Sequence, residues 1–237
     1  MTPIGAGPPG GVAQLTPAVW RVRNRGFISN TYIALLEQPR SCIVIDPGLD
    51  LERIEGALAY LQVRPAGIVC THAHFDHIGS AAPLQDRFAA PVHLHAAESG
   101  LLARANFLMM ICKARGRIDI PTVDVELAEG IDLLNGQDTI RVIHAPGHTP
   151  GSCLLQFRDV VFTGDTLYRD SAGLVNFPGE NQIMLRASLL RAFELLPESI
   201  LVCPGHGGAG VLDDIKRKNH ELHTFLHVSN APPRSQL

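Results

Sequence analysis

The sequence predicts an α/β fold made of two similar halves, in each of which β-strands are followed by helices. Three features support this prediction: short apolar runs typical of strands, segments whose apolar residues have helical spacing, and a repeated order of strands, histidine-containing segment and helices. No stretch with the composition of a linker separates the halves. We therefore expect a single domain over residues 15–237, with the two halves meeting at a shared cleft.

The first half contains predicted strands at residues 18–22, 30–36, 41–45, 66–71 and 91–95, and predicted helices at residues 51–61, 79–88 and 101–115. Pro47 and Gly48 end the third strand. Asp50 is the predicted N-cap of the first helix, whose apolar residues have helical spacing. The third helix is apolar on most of its circumference, which predicts a lid or wall over the functional site, or alternatively a homodimer contact.

The second half follows the same order. Strands are predicted at residues 139–144, 152–157, 160–163 and 200–203, and helices at residues 182–196 and 212–227. In both halves, the strands lead into segments that contain histidine or aspartate. These segments are therefore expected to meet at the cleft.

Composition limits the classes of function. The chain has 237 residues, of which 46% are hydrophobic and 18% charged, which is typical of a soluble globular protein with a substantial core. A net charge of -3 argues against a nucleic-acid partner, because such a partner requires a basic face. No apolar run approaches the roughly 20 residues of a membrane helix, so we expect no membrane association.

The N-terminus and the cysteines indicate the compartment. Residues 1–14 are rich in glycine and proline and lack a basic start and an apolar core, so we expect a flexible tail there instead of a signal peptide. The five cysteines are scattered and form no CxxC pair. This pattern favours reduced thiols in a cytoplasmic protein.

Four short segments, each at the end of an apolar run, carry the residues with the clearest chemistry: His72, His74, Asp76 and His77 in the first, then His148, Asp165 and His206. Imidazole and carboxylate groups suit zinc, manganese or iron. Alternate side chains of extended backbone point the same way, so His72 and His74 can reach one ion. Asp76 and His77 lie just beyond and can face a second ion, and a carboxylate such as Asp165 can bridge the two.

A closed zinc site that only stabilises the fold is the structural alternative. Such sites are typically rich in cysteine and four-coordinate. Seven nitrogen and oxygen donors shared between two divalent metal ions leave coordination positions for water and a small-molecule substrate. The donor set therefore favours a catalytic centre.

The pattern His72-x-His74-x-Asp76-His77, followed by His148, Asp165 and His206, resembles the metallo-β-lactamase superfamily. The resemblance extends from Asn30 to His206. It implies an αββα sandwich of two mixed β-sheets flanked by helices, with the metals at one edge. It further implies a first metal site of His72, His74 and His148, a second site of Asp76, His77 and His206, and Asp165 as the bridging ligand.

Within the superfamily, the chain resembles the glyoxalase II (hydroxyacylglutathione hydrolase) enzymes most, with departures. Leu174 and Asn176 stand where related members carry arginine and aspartate, which argues against persulfide oxidation and against their mode of glutathione binding. Gly205-His206-Gly207-Gly208 replaces the glyoxalase II sequence Gly-His-Glu-Tyr, and the helical glutathione-binding domain is expected to be missing. The resemblance therefore implies hydrolysis of a small thioester or ester whose acyl group is left open.

The expected mechanism is attack by a hydroxide that bridges two metal ions, zinc being favoured and iron or manganese being alternatives. Asp76 is expected to bind metal and also to orient the nucleophile or carry a proton. Tyr168 and Arg169, which follow Asp165 closely, are candidate substrate contacts.

Several alternatives remain open from the sequence. Within the superfamily they are a lactonase, a β-lactam hydrolase and a mononuclear-iron persulfide dioxygenase. From other classes of function they are a nuclease of the RNase Z type and a non-catalytic metal-binding protein. The nuclease would need a basic arm that grips RNA, and the sequence shows none.

Overall fold

The computed structural model describes residues 7–130, 138–172 and 179–227, and two mixed β-sheets form its centre. The first sheet contains, in spatial order, β1 (Val12–Gln14), β2 (Val19–Arg23), β3 (Asn30–Leu35), β4 (Ser41–Ile45), β5 (Arg64–Val69), β6 (Val92–His95) and β7 (Val125–Leu127). Strands β1 to β4 pair antiparallel, whereas β4 to β7 pair parallel.

The second sheet contains β8 (Arg141–His144), β9 (Cys153–Phe157), β10 (Val160–Gly164), β11 (Leu201–Pro204) and β12 (Gly210–Val211). Its spatial order is β12-β11-β10-β9-β8. Only the β10–β11 pair is parallel among these described strands.

Eight α-helices lie in the described residues: α1 (Leu51–Leu61), α2 (Phe75–Ile78), α3 (Ala81–Phe88), α4 (Ser99–Leu102), α5 (Ala105–Ile111), α6 (Gln182–Leu195), α7 (Leu212–Lys218) and α8 (His220–His227). A 3-10 turn, Ala96–Glu98, precedes α4. None of these helices has both the length and the apolar character needed to cross a bilayer.

Three buried apolar clusters hold the layers together. The cluster between the sheets contains Tyr32 and Ile45 from the first sheet and Phe157 and Phe162 from the second. Side chains of α1, α2, α3 and α5 cover the outer face of the first sheet, and those of α6, α7 and α8 cover the outer face of the second. Burial of each large apolar side chain stabilises the fold by about 1.5–3 kcal/mol relative to leaving it exposed. Because helices cover the outer faces of two sheets packed against each other, the predicted αββα sandwich is confirmed.

The N-terminal prediction needs correction. Residues 1–6 lie outside the described part of the chain, but Val12–Gln14 form β1 and pair with β2. Val12 is buried in the core. Because Val12–Gln14 pair with β2 and Val12 is buried, this segment is ordered, and the predicted flexible tail cannot extend to Gln14.

Two predicted helices are each divided in the structure. The segment predicted as one helix over residues 101–115 ends at Ile111 and is interrupted at Ala103 and Arg104, between α4 and α5. The helix predicted over residues 212–227 is interrupted at Asn219, whose side-chain oxygen accepts a hydrogen bond from the backbone N–H of Leu222 at 2.9 Å.

Leu174 and Asn176, which the sequence analysis compared with arginine and aspartate of related members, lie outside the described residues.

Candidate metal centre

All seven predicted metal ligands come together at one edge of the sandwich, where strands of both sheets end. The first sheet supplies His72, His74, Asp76 and His77 in the segment that follows β5. From the second sheet come His148 in the β8–β9 connection, Asp165 directly after β10 and His206 after β11. The isolated bridge between Ser29 and His206 joins the two sheets at this edge.

The first group of donors consists of His72, His74, His148 and Asp165, all of them buried. His74 Nδ1 lies 3.1 Å from His72 Nε2 and 3.0 Å from His148 Nε2. Asp165 Oδ2 lies 3.5 Å from His148 Nε2. One donor atom from each of the four residues therefore falls within 4.8 Å of the others.

The second group consists of Asp76, His77 and His206. Asp76 Oδ2 lies 3.2 Å from His206 Nε2 and 3.7 Å from His77 Nε2. Asp165 is also close, with Oδ1 at 3.4 Å from His77 Nε2 and Oδ2 at 3.5 Å from His206 Nε2. Asp165 thus lies between the two groups, where the sequence predicted a shared ligand.

The donor chemistry fits divalent metal ions. Although His77 Nε2 and Asp165 Oδ1 are 3.4 Å apart, neither buried atom has a hydrogen-bond partner of acceptable geometry among the described residues. Unpartnered buried polar atoms are costly. Because imidazole nitrogen and carboxylate oxygen are the usual ligands of zinc and iron, a cation in the second group would satisfy both atoms.

The protonation states differ between the two groups. Burial lowers the pKa of His72 and His148, and it lowers the pKa of His74 to about 4, which leaves these rings in the neutral form that binds metal. Burial alone would also lower the pKa of His206, but hydrogen bonds to Asp165 and Asp76 outweigh it and raise that pKa to about 9. The pKa of His77 is likewise raised, because Asp165 and Asp76 outweigh its burial. A metal ion bound by the second group would therefore displace protons.

Two buried carboxylates support the ligand segments. Asp46 Oδ2 contacts His77 Nδ1 at 3.0 Å, and the same carboxylate accepts hydrogen bonds from the backbone N–H and the hydroxyl of Thr71 at 2.7 Å each. Sequence reasoning missed Glu98, which accepts hydrogen bonds from the backbone of two ligand segments. Nothing in the sequence around Glu98 distinguishes it from a surface glutamate.

A cavity of about 930 Å³ opens beside the centre, and Asp165 and His206 form part of its wall. Both predicted substrate contacts, Tyr168 and Arg169, line it. Burial raises the pKa of Tyr168 well above its usual value, and the nearby negative charge of Asp165 raises it further, so the hydroxyl stays protonated. Arg169 is half-exposed and forms an ion pair with Asp170 at 2.6 Å.

Comparison with known proteins defines the class to which the chain belongs. The family model of the metallo-beta-lactamase superfamily matches residues 25–206. Probable metallo-hydrolase YqgX of Bacillus subtilis is 34% identical over 193 residues, which cover 79% of this chain and 90% of that protein. Hydroxyacylglutathione hydrolase GloC of Haemophilus influenzae is 27% identical over 197 residues, covering 79% of this chain and 90% of that protein.

Two solved structures have the same fold as this chain and are similar to it in sequence. The BLEG-1 B3 metallo-beta-lactamase superposes with a TM-score of 0.79 at 31% identity, covering 86% of this chain and 99% of that one. The protein TTHA1623, solved in a di-iron-bound form, superposes with a TM-score of 0.76 at 33% identity, covering 84% of this chain and 98% of that one. The chain therefore belongs to the metallo-beta-lactamase superfamily of metal-dependent hydrolases.

Proposed function

We propose that the protein hydrolyses a small thioester or ester with two divalent metal ions, zinc being favoured and iron or manganese being the alternatives. The observation that most directly supports this proposal is the position of Asp165, whose two oxygens lie 3.4–3.5 Å from imidazole nitrogens of both donor groups. A shared carboxylate between two such groups is the arrangement that supports a pair of neighbouring ions. His72, His74 and His148 would hold one ion, Asp76, His77 and His206 the other, and Asp165 both.

Two metal ions, when bound, would lower the pKa of a bound water towards neutrality and so supply hydroxide at working pH. The residues of the chain then have separate tasks. Asp76 lies 3.2 Å from His206 and would orient the nucleophile or accept its proton. The protonated hydroxyl of Tyr168, beside Asp165, would donate a hydrogen bond to the substrate, and Arg169 would contact the substrate farther along the cavity.

The cavity supports a small-molecule substrate. Its volume of about 930 Å³ lies in the range of ligand pockets, and it begins at two of the candidate ligands. A thioester is favoured because the hydroxyacylglutathione hydrolase GloC is among the relatives. A β-lactam is the second candidate, because the B3 metallo-beta-lactamase BLEG-1 is 31% identical over most of the chain.

A substrate panel combined with metal analysis tests the proposal. One preparation would be assayed with S-lactoylglutathione, other acyl thioesters, a homoserine lactone, a penicillin and a persulfide, while its metal content is measured. We expect about two metal ions per chain and the highest kcat/KM with a thioester. Oxygen uptake with the persulfide, or turnover of the penicillin alone, would reject the thioester proposal.

Variants connect the activity to the centre. His72→Ala or Asp165→Ala should abolish turnover and leave the circular dichroism spectrum unchanged. His223→Ala is the matched control, since His223 lies on α8 outside the two donor groups. Near-normal turnover in either of the first two variants would refute the assignment.

A further inference from the structure

Glu98 is a fully buried carboxylate beside the metal centre, and the catalytic proposal does not use it. It ends the 3-10 turn between β6 and α4 and has no exposed surface. Among the described residues, no lysine, arginine or histidine forms an ion pair with it. A buried carboxylate without a cationic partner is costly, so the burial of Glu98 requires a compensating interaction.

The two oxygens of Glu98 hold two different ligand segments. Oε2 accepts a hydrogen bond at 2.8 Å from the backbone N–H of Ala73, which lies between His72 and His74. Oε1 accepts one at 2.7 Å from the backbone N–H of Gly151, which ends the turn that carries His148. Because the first segment follows β5 and the second precedes β9, a single carboxylate joins ligand segments of the two sheets.

The packing around this contact is tight. A Cβ atom added to Gly151 would lie 2.7 Å from Glu98 Cγ, so a glycine is needed for the carboxylate to reach the backbone there. Glu98 therefore contacts the backbone of both segments that carry the three histidines of the first donor group.

We propose that Glu98 is a positioning residue of the first metal site. Its carboxylate fixes the distance between the His72–His74 segment and the His148 turn, and its negative charge, which lies next to these segments, favours cation binding. This inference rests on the proposed metal-dependent function and adds a residue that touches neither substrate nor metal.

Glu98→Gln tests the proposal with little change in size. The amide oxygen can still accept one hydrogen bond, but the amide nitrogen would face the second backbone N–H and cannot accept from it. Asp138→Asn is the matched control: Asp138 is also buried, accepts a hydrogen bond from the backbone N–H of Glu37 and pairs with Arg158, at the opposite end of the second sheet.

Three measurements on the full chain separate positioning from general stability. They are the zinc affinity in competition with a chromophoric chelator, the visible spectrum of the cobalt-substituted protein, and the melting temperature of the metal-free protein. We expect Glu98→Gln to weaken zinc binding about 10- to 100-fold and to alter the cobalt spectrum. Asp138→Asn should lower the melting temperature with zinc affinity and cobalt spectrum unchanged.

A second variant keeps the proposal testable if Glu98→Gln fails to fold. Gly151→Ala should displace the carboxylate from the other side and weaken zinc binding in the same direction. Wild-type zinc affinity and cobalt spectrum in both variants would overturn the positioning role, even if their melting temperatures fell. If the wild-type protein itself bound no metal, the proposed function would fail; if it bound zinc and both variants bound zinc equally well, only the role of Glu98 would fail.

Discussion

The candidate ligands depend on buried neighbours that hold their rings in place. Asp46 follows β4 with a positive φ of 49°, a conformation that few non-glycine residues adopt. Its carboxylate contacts the His77 ring and both polar groups of Thr71, the residue before His72. One side chain therefore couples the orientation of a ring in the second donor group to the segment that carries the first.

Asp46→Asn should weaken both stability and metal binding. The amide nitrogen cannot accept a hydrogen bond, so we expect a loss of about 1–3 kcal/mol in the free energy of unfolding of the metal-free protein. Zinc affinity should fall about 10- to 100-fold, because the His77 ring loses the partner that orients it. Urea unfolding and chelator competition measure the two effects. Reduced stability with unchanged affinity would limit Asp46 to a structural role.

Gly205→Ala should abolish activity, because the added methyl group displaces two of the candidate metal ligands. A Cβ atom at Gly205 would collide with Asp165 Oδ1 and lie 2.5 Å from His77 Cε1, so the shared carboxylate must move. Steady-state kinetics and metal content of the purified variant measure the effect. Gly56→Ala, in α1, has open space around its Cβ and should keep full activity with a small gain in stability. Normal kcat/KM in Gly205→Ala would show that the position of Asp165 is not critical.

Among the helices, the break between α7 and α8 supports the cavity wall. Asn219 is buried at this break, and its amide donates to the backbone oxygens of Tyr168 at 3.3 Å and Ser171 at 2.9 Å. Its oxygen caps the first turn of α8. The interruption thus joins the last helix to the loop that carries the predicted substrate contacts.

Asn219→Ala should cost about 1–3 kcal/mol in the free energy of unfolding, because it removes a helix cap and leaves buried carbonyl groups unpaired. KM should rise more than kcat falls, since the Tyr168 loop loses its support while the metal ligands keep theirs. Lys218→Ala is the control: its exposed ion pair with Asp214 should be worth less than about 1 kcal/mol. A fall in kcat with constant KM would contradict this account.

The elements that the sequence missed share a physical cause. Strands with long apolar runs, such as β3 and β10, were predicted within about a residue of their observed ends. The sequence also identified the seven metal-ligand candidates that the structure brings together. The strands β1, β7 and β12 were missed; all three are edge strands of two or three residues. Such strands form through pairing with a neighbour and lack a periodic pattern of their own. The breaks at Arg104 and Asn219 likewise depend on tertiary contacts that apolar spacing does not encode.

The stability of the whole molecule should depend on pH in a way that reports on the centre. The folded pKa of His206 is about 9, above the ordinary value of about 6.5, so its contribution is full below pH 6.5 and is lost as the pH rises through 9. The folded pKa of His74 is about 4, below the ordinary value, so its contribution is full above pH 6.5 and is lost as the pH falls towards 4. His77 acts in the same direction as His206, and His72 and His148 act in the same direction as His74.

We therefore expect the melting temperature of the metal-free protein to be highest near pH 6.5 and to fall on both sides. With zinc present, the alkaline fall should disappear: metal requires deprotonated ligands, so zinc binds more tightly as the pH rises towards 9, and this gain offsets the fall of the metal-free protein. Thermal scans between pH 4 and 10, with a chelator and with zinc, measure both curves. His206→Gln should flatten the alkaline fall of the metal-free protein, whereas His223→Ala should not. Parallel curves with and without zinc would mean that the protons on His206 and His77 do not compete with metal, which would remove the link between the donor geometry and metal binding.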